Sequence, residues 1–248
     1  MTITNDLDIV QRLLADQPSF HLAGTAHWDA LSGTLQAVRK LVRPGDVTFE
    51  VGAGVSTVVF AAAGAQHTAV SPDPMEHQLI RDYCHKVGVD DSRLNFLVGF
   101  SYDILPSHLT RERTLHVALI DGAHSFPIPI VDWYYVARAL KVGGKLLLDD
   151  VPVPAVEPVF RHMKLESGWK LDGIFDNRAA EFTLLRAPGP NDDWSDQPFN
   201  SGYPDYSFVS MPSRLRLQTK YRMRAVRRTL GRRYPALRQF SKNRLDPE

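Results

Sequence analysis

Short apolar runs alternate with longer segments of helical spacing along most of this chain. Five apolar runs have the length of buried strands, and helical patterns separate them. We expect strands at 47–51, 66–71, 94–98, 115–120 and 145–148, and helices at 28–42, 55–63, 75–86, 128–140 and 157–164. This alternation predicts an α/β fold with a doubly wound, mostly parallel sheet and right-handed crossovers.

Two further apolar segments, 169–175 and 181–185, flank Asp176-Asn177-Arg178, a sequence typical of a hairpin turn. The hairpin would bring the sheet to seven strands and add an antiparallel strand at one edge. We therefore divide the chain into an N-terminal extension (1–26), the α/β domain (27–186) and two C-terminal segments (187–212 and 213–248). No internal repeat is visible.

The segment 187–212 combines five prolines with five aromatic residues. Prolines at this density disfavour a helix or a central strand, and the aromatic residues disfavour a disordered linker. We interpret the segment as a strap packed on the surface of the domain. A lid on the substrate side is the alternative.

The segment 213–248 is strongly basic. From Arg214 onward it has 12 Lys/Arg and 2 Asp/Glu, a balance of +10, whereas the rest of the chain carries −9. Ser213 would cap a helix over 214–230 with a narrow apolar stripe, and Gly231 would end it. Three partners suit this basic helical tail: the acidic body of this or a second copy, an anionic membrane surface, and, ranked last for lack of a motif, nucleic acid.

The composition adds few constraints. With 44% hydrophobic and 23% charged residues, the 248-residue chain resembles an ordinary soluble protein. Cys84 is the only cysteine, which excludes disulfides within the chain and cysteine-based zinc sites. We see neither a secretory signal nor an apolar run of about 18 residues, the length of a membrane span. We expect a cytoplasmic protein, with the tail as its means of reaching a membrane surface.

A glycine-rich loop follows the first strand, in the sequence Glu50-Val51-Gly52-Ala53-Gly54. Its glycines would let backbone N–H groups approach a ligand closely. Thr57 stands where a dinucleotide-binding loop has a third small residue, so that fingerprint is incomplete. An acid directly before the glycines suits a cationic ligand such as S-adenosylmethionine. A tight turn without a ligand remains an alternative.

Polar side chains follow the other strands as well. Asp73 comes after the second strand, Ser101 after the third, Asp121 and His124 after the fourth, and Asp149-Asp150 after the fifth. The carboxyl ends of parallel strands meet at one edge of a sheet, which is where ligands bind. So many carboxylates at one edge require cations to neutralise them.

The segment Ile-Asp-Gly-Ala-His-Ser, the aspartate at 132 and the segment ending in Asp149-Asp150 are similar to class I S-adenosylmethionine-dependent methyltransferases. They resemble small O-methyltransferases of the sugar, macrolide and catechol groups, which have a Rossmann-like fold. The resemblance implies Asp121, Asp149 and Asp150 as Mg²⁺ ligands and His124 at the position of a basic residue. The cofactor residues that it implies are Glu50, Gly52, Ala53, Gly54, Ser56, Thr57, Asp73, Ser101 and Asp121.

The chemistry expected of such a site is O-methylation of a small molecule or a sugar. A divalent cation would lower the pKa of the acceptor hydroxyl, and His124 would take its proton. Asp149 and Asp150 could instead only bond their own turn, and His124 could be an ordinary loop histidine. Two other functions stay open: a metal-independent methyltransferase whose aspartates orient the substrate, and a non-catalytic membrane-peripheral or scaffold protein.

Overall fold

A computed structural model describes residues 8–21, 32–109, 112–187, 197–201 and 210–213, together with residues 215, 216, 219, 222, 223, 226 and 230. The chain divides into two compact units, Met1–Pro188 and Gly189–Glu248. The predicted strap and tail fall largely outside the described residues. Where the structure is described, no helix is both long enough and apolar enough to cross a bilayer.

The first unit is built on one seven-stranded sheet with helices along the chain between its strands. The strands are β1 (Val47–Val51), β2 (Gln66–Ser71), β3 (Leu94–Val98), β4 (Leu115–Ile120), β5 (Leu140–Leu148), β6 (Trp169–Phe175) and β7 (Ala179–Leu184). The helices are α1 (Ile9–Asp16), α2 (Ser32–Leu41), α3 (Val55–Ala62), α4 (Pro74–Val87), α5 (Ser101–His108), α6 (Ile128–Ala139) and α7 (Glu157–Leu165).

The strand order is β3-β2-β1-β4-β5-β7-β6. Strands β1 to β5 pair in parallel, and β7 pairs antiparallel with both β5 and β6. This is the Rossmann-like sheet with a C-terminal antiparallel hairpin that the sequence predicted, and the prediction is confirmed.

Two elements differ from the sequence prediction. Strand β5 begins at Leu140, whereas the sequence predicted a start at residue 145. Gly143, with a φ of +84°, and Gly144 form an irregularity inside the strand instead of a turn before it. The register to β4 shifts between Leu115 and Val117 at this place. Helix α5 was not predicted, and it carries Pro106 in its interior.

The core has two layers, one on each face of the sheet. Successive residues of β4 alternate between them: Val117 and Leu119 join the layer under α1 to α4, and Ala118 and Ile120 join the layer under α5 to α7. Burial on both faces explains why β4 is a continuous apolar run. Val10 and Leu13 of α1 are buried in the first layer, so the N-terminal helix packs into the core of the domain.

The register of the sheet brings the loops after β1, β4 and β5 together. Val51 pairs with Ile120, which pairs with Leu148, so these three strands end side by side. The amide of Asp121 then donates to the carbonyl of Val51 at 2.9 Å, and the amide of Asp149 donates to that of Ile120 at 3.0 Å. Chain segments distant in sequence thus meet at one edge.

Candidate active site

The glycine loop between β1 and α3 passes directly against the loop after β4. Gly52 has a φ of +96°, and a Cβ at this position would lie 2.2 Å from the carbonyl oxygen of Asp121. Any side chain at this position would therefore strain the backbone and collide with a main-chain atom that cannot move freely. The glycine is needed for the two loops to touch.

The carboxylate of Glu50 is buried beside the glycine loop and holds the residues that follow the loop. Only 1% of Glu50 is exposed, and its carboxylate accepts hydrogen bonds from the hydroxyls of Ser56 and Thr57, the second at 2.6 Å. Nε2 of His67 lies 3.3 Å from the same carboxylate. The amide of Gly54 donates to the Thr57 hydroxyl at 3.0 Å, which ties the loop to the start of α3. Ser56 thus contacts Glu50, whereas Thr57 contacts both Glu50 and the glycine loop itself.

The glycine loop forms one wall of an open cavity of about 530 Å³. This volume is in the range of small-molecule sites. Of the residues predicted to bind a cofactor, six line it: Glu50, Gly52, Ala53, Gly54, Ser56 and Asp121. Ser71, Glu76, His124, Asp150 and His21 line it as well. The cavity therefore joins the glycine loop to the loops after β2, β4 and β5.

The other three predicted cofactor residues are not in the lining of this cavity. Thr57 is completely buried beside Glu50. Asp73 caps α4, where its carboxylate accepts from the amide of Met75 at 2.9 Å. Ser101 is the first residue of α5. Their cofactor role remains a prediction from the resemblance.

Glu76, in the first turn of α4, places a carboxylate in the cavity wall, where the sequence predicted the carboxylate of Asp73. It lies 2.8 Å from Nδ1 of His21 and accepts from the Ser71 hydroxyl at 2.8 Å. Burial alone would raise the pKa of Glu76, but the hydrogen bonds from His21 and Ser71 lower it below its ordinary value. Glu76 is therefore an ionised acid in the cavity wall.

Three aspartates and an arginine form the opposite end of the site. Asp149 is 1% exposed; its Oδ1 accepts from the amide of Asp150 at 2.7 Å and from Nε of Arg178 at 3.0 Å. Asp150 places Oδ1 2.7 Å from the same Nε and Oδ2 3.2 Å from Nε2 of His124. Oδ2 of Asp149 is buried without a hydrogen-bond partner among the described residues.

Crowding of these acids changes their proton affinity. Burial, and after it the charges of Asp149 and Glu50, raise the pKa of Asp121 well above its ordinary value. Burial also raises the pKa of Asp149, although its hydrogen bond to the Asp150 amide and the charge of Arg178 oppose the change. Burial would lower the pKa of Arg178, but the three aspartates raise it. The cluster has an excess of negative charge that a cationic ligand would relieve.

Asp121, His124 and Asp150 each offer one ligand atom, and these atoms lie within 4.8 Å of one another. Two carboxylates and an imidazole, next to an unpartnered carboxylate oxygen, fit a divalent cation. Asp149, a predicted ligand, is not in this group. Its Oδ1 accepts hydrogen bonds from Arg178 and from a backbone amide.

Comparison with known proteins identifies the domain that holds this site. Residues 49–151, from β1 to just past Asp150, match a family model described as a methyltransferase domain. The match covers 103 of the 248 residues, so the likeness to methyltransferases applies to this part of the chain. The predicted resemblance to class I S-adenosylmethionine-dependent methyltransferases is confirmed, and the match supports an enzyme. A search of curated proteins found no match to the sequence.

Solved structures share the fold of the methyltransferase domain. An inferred O-methyltransferase from Klebsiella pneumoniae is 18% identical with a TM-score of 0.59, over 74% of this chain and 93% of its own. An O-methyltransferase from Bacillus cereus, solved in complex with SAH, is 13% identical with a TM-score of 0.57, over 74% and 94%. TomG, an O-methyltransferase of tomaymycin synthesis from Streptomyces achromogenes, solved in complex with SAM, is 15% identical with a TM-score of 0.57, over 74% and 92%.

The methyltransferase domain also holds a buried acid behind the site. Asp132 of α6 is fully buried, and neither of its oxygens has a hydrogen-bond partner among the described residues. Burial raises its pKa to about 6. Asp132, His124 and Asp149 border the same narrow gap, which is too small to hold a ligand.

Sequence reasoning missed three residues of the site: His21, Glu76 and Arg178. The acid of Glu76, five residues after the end of β2, was a usable signal, but Asp73 lies closer to the strand. His21 and Arg178 carry no local signal, because each reaches the site from an element far away in sequence.

Proposed function

We propose that this enzyme transfers a methyl group from S-adenosylmethionine to a hydroxyl group of a small molecule or a sugar. The observation that carries the proposal is the single cavity that joins the glycine loop to Asp121, His124 and Asp150. A donor on the loop and an acceptor at the aspartates would share this cavity, so that the reacting atoms are brought together.

The charge of the cavity wall supports this donor. Glu50, Glu76, Asp121 and Asp150 all line the cavity, and the sulfonium and ammonium groups of S-adenosylmethionine are cations. Ser71, at the end of β2, and Glu76, in the first turn of α4, would donate to or accept from the hydroxyls of a ribose. Gly52 and Gly54 let the backbone approach the rest of the cofactor.

His124 is the proposed base. Its Nε2 lies 3.2 Å from Oδ2 of Asp150, and a proton on Nε2 facing this carboxylate would leave Nδ1 to take the proton of the acceptor. Asp150 thereby orients the ring and stabilises the imidazolium that forms. Asp121 and Asp150 would hold a divalent cation, which when bound supplies a Lewis acid that lowers the pKa of the acceptor hydroxyl.

A metal-independent enzyme is the second candidate. Arg178 already places a positive charge 2.7 Å from Asp150 and 3.0 Å from Asp149. The pairing of His124 with Asp150 needs no metal to orient the base. In this case the aspartates would orient the acceptor, and EDTA would leave turnover unchanged.

Calorimetric titration of S-adenosylmethionine and its demethylated product, in Mg²⁺ and in EDTA, tests the cofactor. Turnover is then measured with a panel of catechols and sugars for the wild type, His124→Ala and Asp150→Asn. We expect cofactor binding in both buffers and a loss of turnover of about 10²-fold or more in both variants. Asp103→Asn, an exposed change on α5, is the matched control. Absence of cofactor binding would overturn the proposal, and full activity of His124→Ala would overturn the base.

A further inference from the structure

The hairpin between β6 and β7 is fixed in place on two sides. Asp176 and Asn177 have φ values of +52° and +54° and form a two-residue turn, closed by the Arg178 amide on the Phe175 carbonyl at 2.9 Å. The carboxylate of Asp176 accepts from the amide of Gly33 in α2 at 2.6 Å. The carbonyl of Arg178 accepts from the amide of Val151 at 2.9 Å. The base of the Arg178 side chain is therefore held against the residue that follows Asp150.

From this position the guanidinium of Arg178 contacts both acids of the pair. Its Nε is 3.0 Å from Asp149 and 2.7 Å from Asp150, and 23% of its side chain is exposed. Asp149 has a side-chain exposure of 0% and Asp150 one of 18%. Charges in such a setting interact more strongly than surface ion pairs, because water screens them less.

We propose that Arg178 is a positioning residue that holds the carboxylates of Asp149 and Asp150 in place before a metal binds. When a divalent cation is bound, Arg178 and the cation would share the carboxylate of Asp150. Oδ1 of Asp150 is held by Arg178, which leaves Oδ2, beside His124, for the cation. The guanidinium also repels a second cation at the same carboxylate, so the site binds metal more weakly than its acids alone would. This inference rests on the metal-assisted form of the proposed function.

Two variants of the full chain test this role. Arg178→Met keeps the length of the side chain and removes the charge, and Arg178→Lys keeps the charge without the planar guanidinium. Arg39→Met is the matched control, because Arg39 forms an ion pair with Asp8 whose side chains are 47% and 40% exposed. The probe is Mn²⁺ alone, with binding followed by electron paramagnetic resonance and without cofactor or acceptor. Melting temperatures are measured in EDTA and in Mg²⁺.

We expect Arg178→Met to bind Mn²⁺ about tenfold more tightly than the wild type, because the repulsion is gone. In EDTA the same variant should melt about 5–10 °C lower, since two acids lose their cation. Mg²⁺ should restore most of that loss. Arg178→Lys should lie between the two proteins, and Arg39→Met should match the wild type in both measurements.

Equal or weaker Mn²⁺ binding by Arg178→Met, with binding retained by the wild type, would overturn this inference and leave the metal site standing. A melting loss in Arg178→Met that Mg²⁺ does not repair would likewise reduce Arg178 to a structural ion pair. If neither protein binds Mn²⁺, the metal-assisted part of the proposed function fails, and this inference fails with it.

Discussion

Gly52→Ala tests the closest approach in the active site. The new Cβ would lie 2.2 Å from the carbonyl oxygen of Asp121 and 3.0 Å from its carbonyl carbon. Both are main-chain atoms of a loop fixed by the Asp121 amide on the Val51 carbonyl. The collision therefore cannot be relieved by rotation of a side chain, and one of the two loops must move.

The matched control separates this collision from backbone strain. Gly45 also has a positive φ, +85°, but nothing lies within 4 Å of a Cβ built there. Gly45→Ala should therefore cost only the conformational strain, about 1 kcal/mol. Gly52→Ala bears a similar strain plus an overpacking term of about 1–3 kcal/mol, about 2–4 kcal/mol in total.

Urea denaturation of both variants measures the difference directly, and calorimetry of S-adenosylhomocysteine measures its effect on the site. We expect Gly52→Ala to be less stable than Gly45→Ala by about 1–3 kcal/mol. It should also bind the ligand at least about tenfold more weakly, because Asp121 lines the cavity and its backbone must shift. Equal losses of stability in the two variants would refute the reasoning, since they would show that the loops do not touch.

Two further predictions concern other parts of the chain. Burial raises the pKa of Asp132 to about 6. Between about pH 4 and 6 the folded state therefore binds more protons than the unfolded state, and the free energy of unfolding falls as the pH rises through this window. Asp132→Asn should therefore be more stable than the wild type above pH 6, by up to about 3 kcal/mol, and equal to it near pH 4; a pH-independent difference in urea denaturation would contradict this. In the tail, Leu215, Met223, Val226 and Leu230 are exposed by 44% to 58%, and we expect the full chain to co-sediment with anionic but not with neutral vesicles, in a salt-dependent way. Absence of co-sedimentation would remove the membrane partner and leave the oligomeric arm and nucleic acid as alternatives for the tail.

The sheet was predictable because its strands are continuous apolar runs between clear breaks. Strand β4 has the predicted bounds, Leu115–Ile120, since five of its six residues are buried and the apolar run ends at both bounds. Prediction from local sequence was wrong where a residue type occurs in two kinds of structure. Gly143-Gly144 indicates a turn in sequence but forms an irregularity within β5, and Pro106 concealed α5 because proline normally ends a helix.

The grouping of Glu50, Gly52, Asp121 and Asp150 around one cavity was predictable, because these residues lie at or just after the carboxyl end of a strand. The site was not predictable where tertiary contacts decide the geometry. Asp73 follows β2 but caps α4, because a side chain just before a helix finds an unpaired amide within reach. Arg178 lies 29 positions from Asp149, and only the antiparallel return of β7 beside β5 brings the two together.

The strand order has a consequence for the synthesis of this protein. Strand β7 is the last of the seven strands to leave the ribosome, yet it lies between β5 and β6. Until Leu184 has emerged, β5 can only be an open edge, with Leu146, Leu147 and Leu148 beside unpaired backbone groups and Asp149-Asp150 without Arg178. Nascent or prematurely terminated chains that stop before β7 thus carry an edge prone to aggregation together with an uncompensated acid pair. Quality control that removes such chains would also remove those in which Asp149 and Asp150 lack their arginine partner.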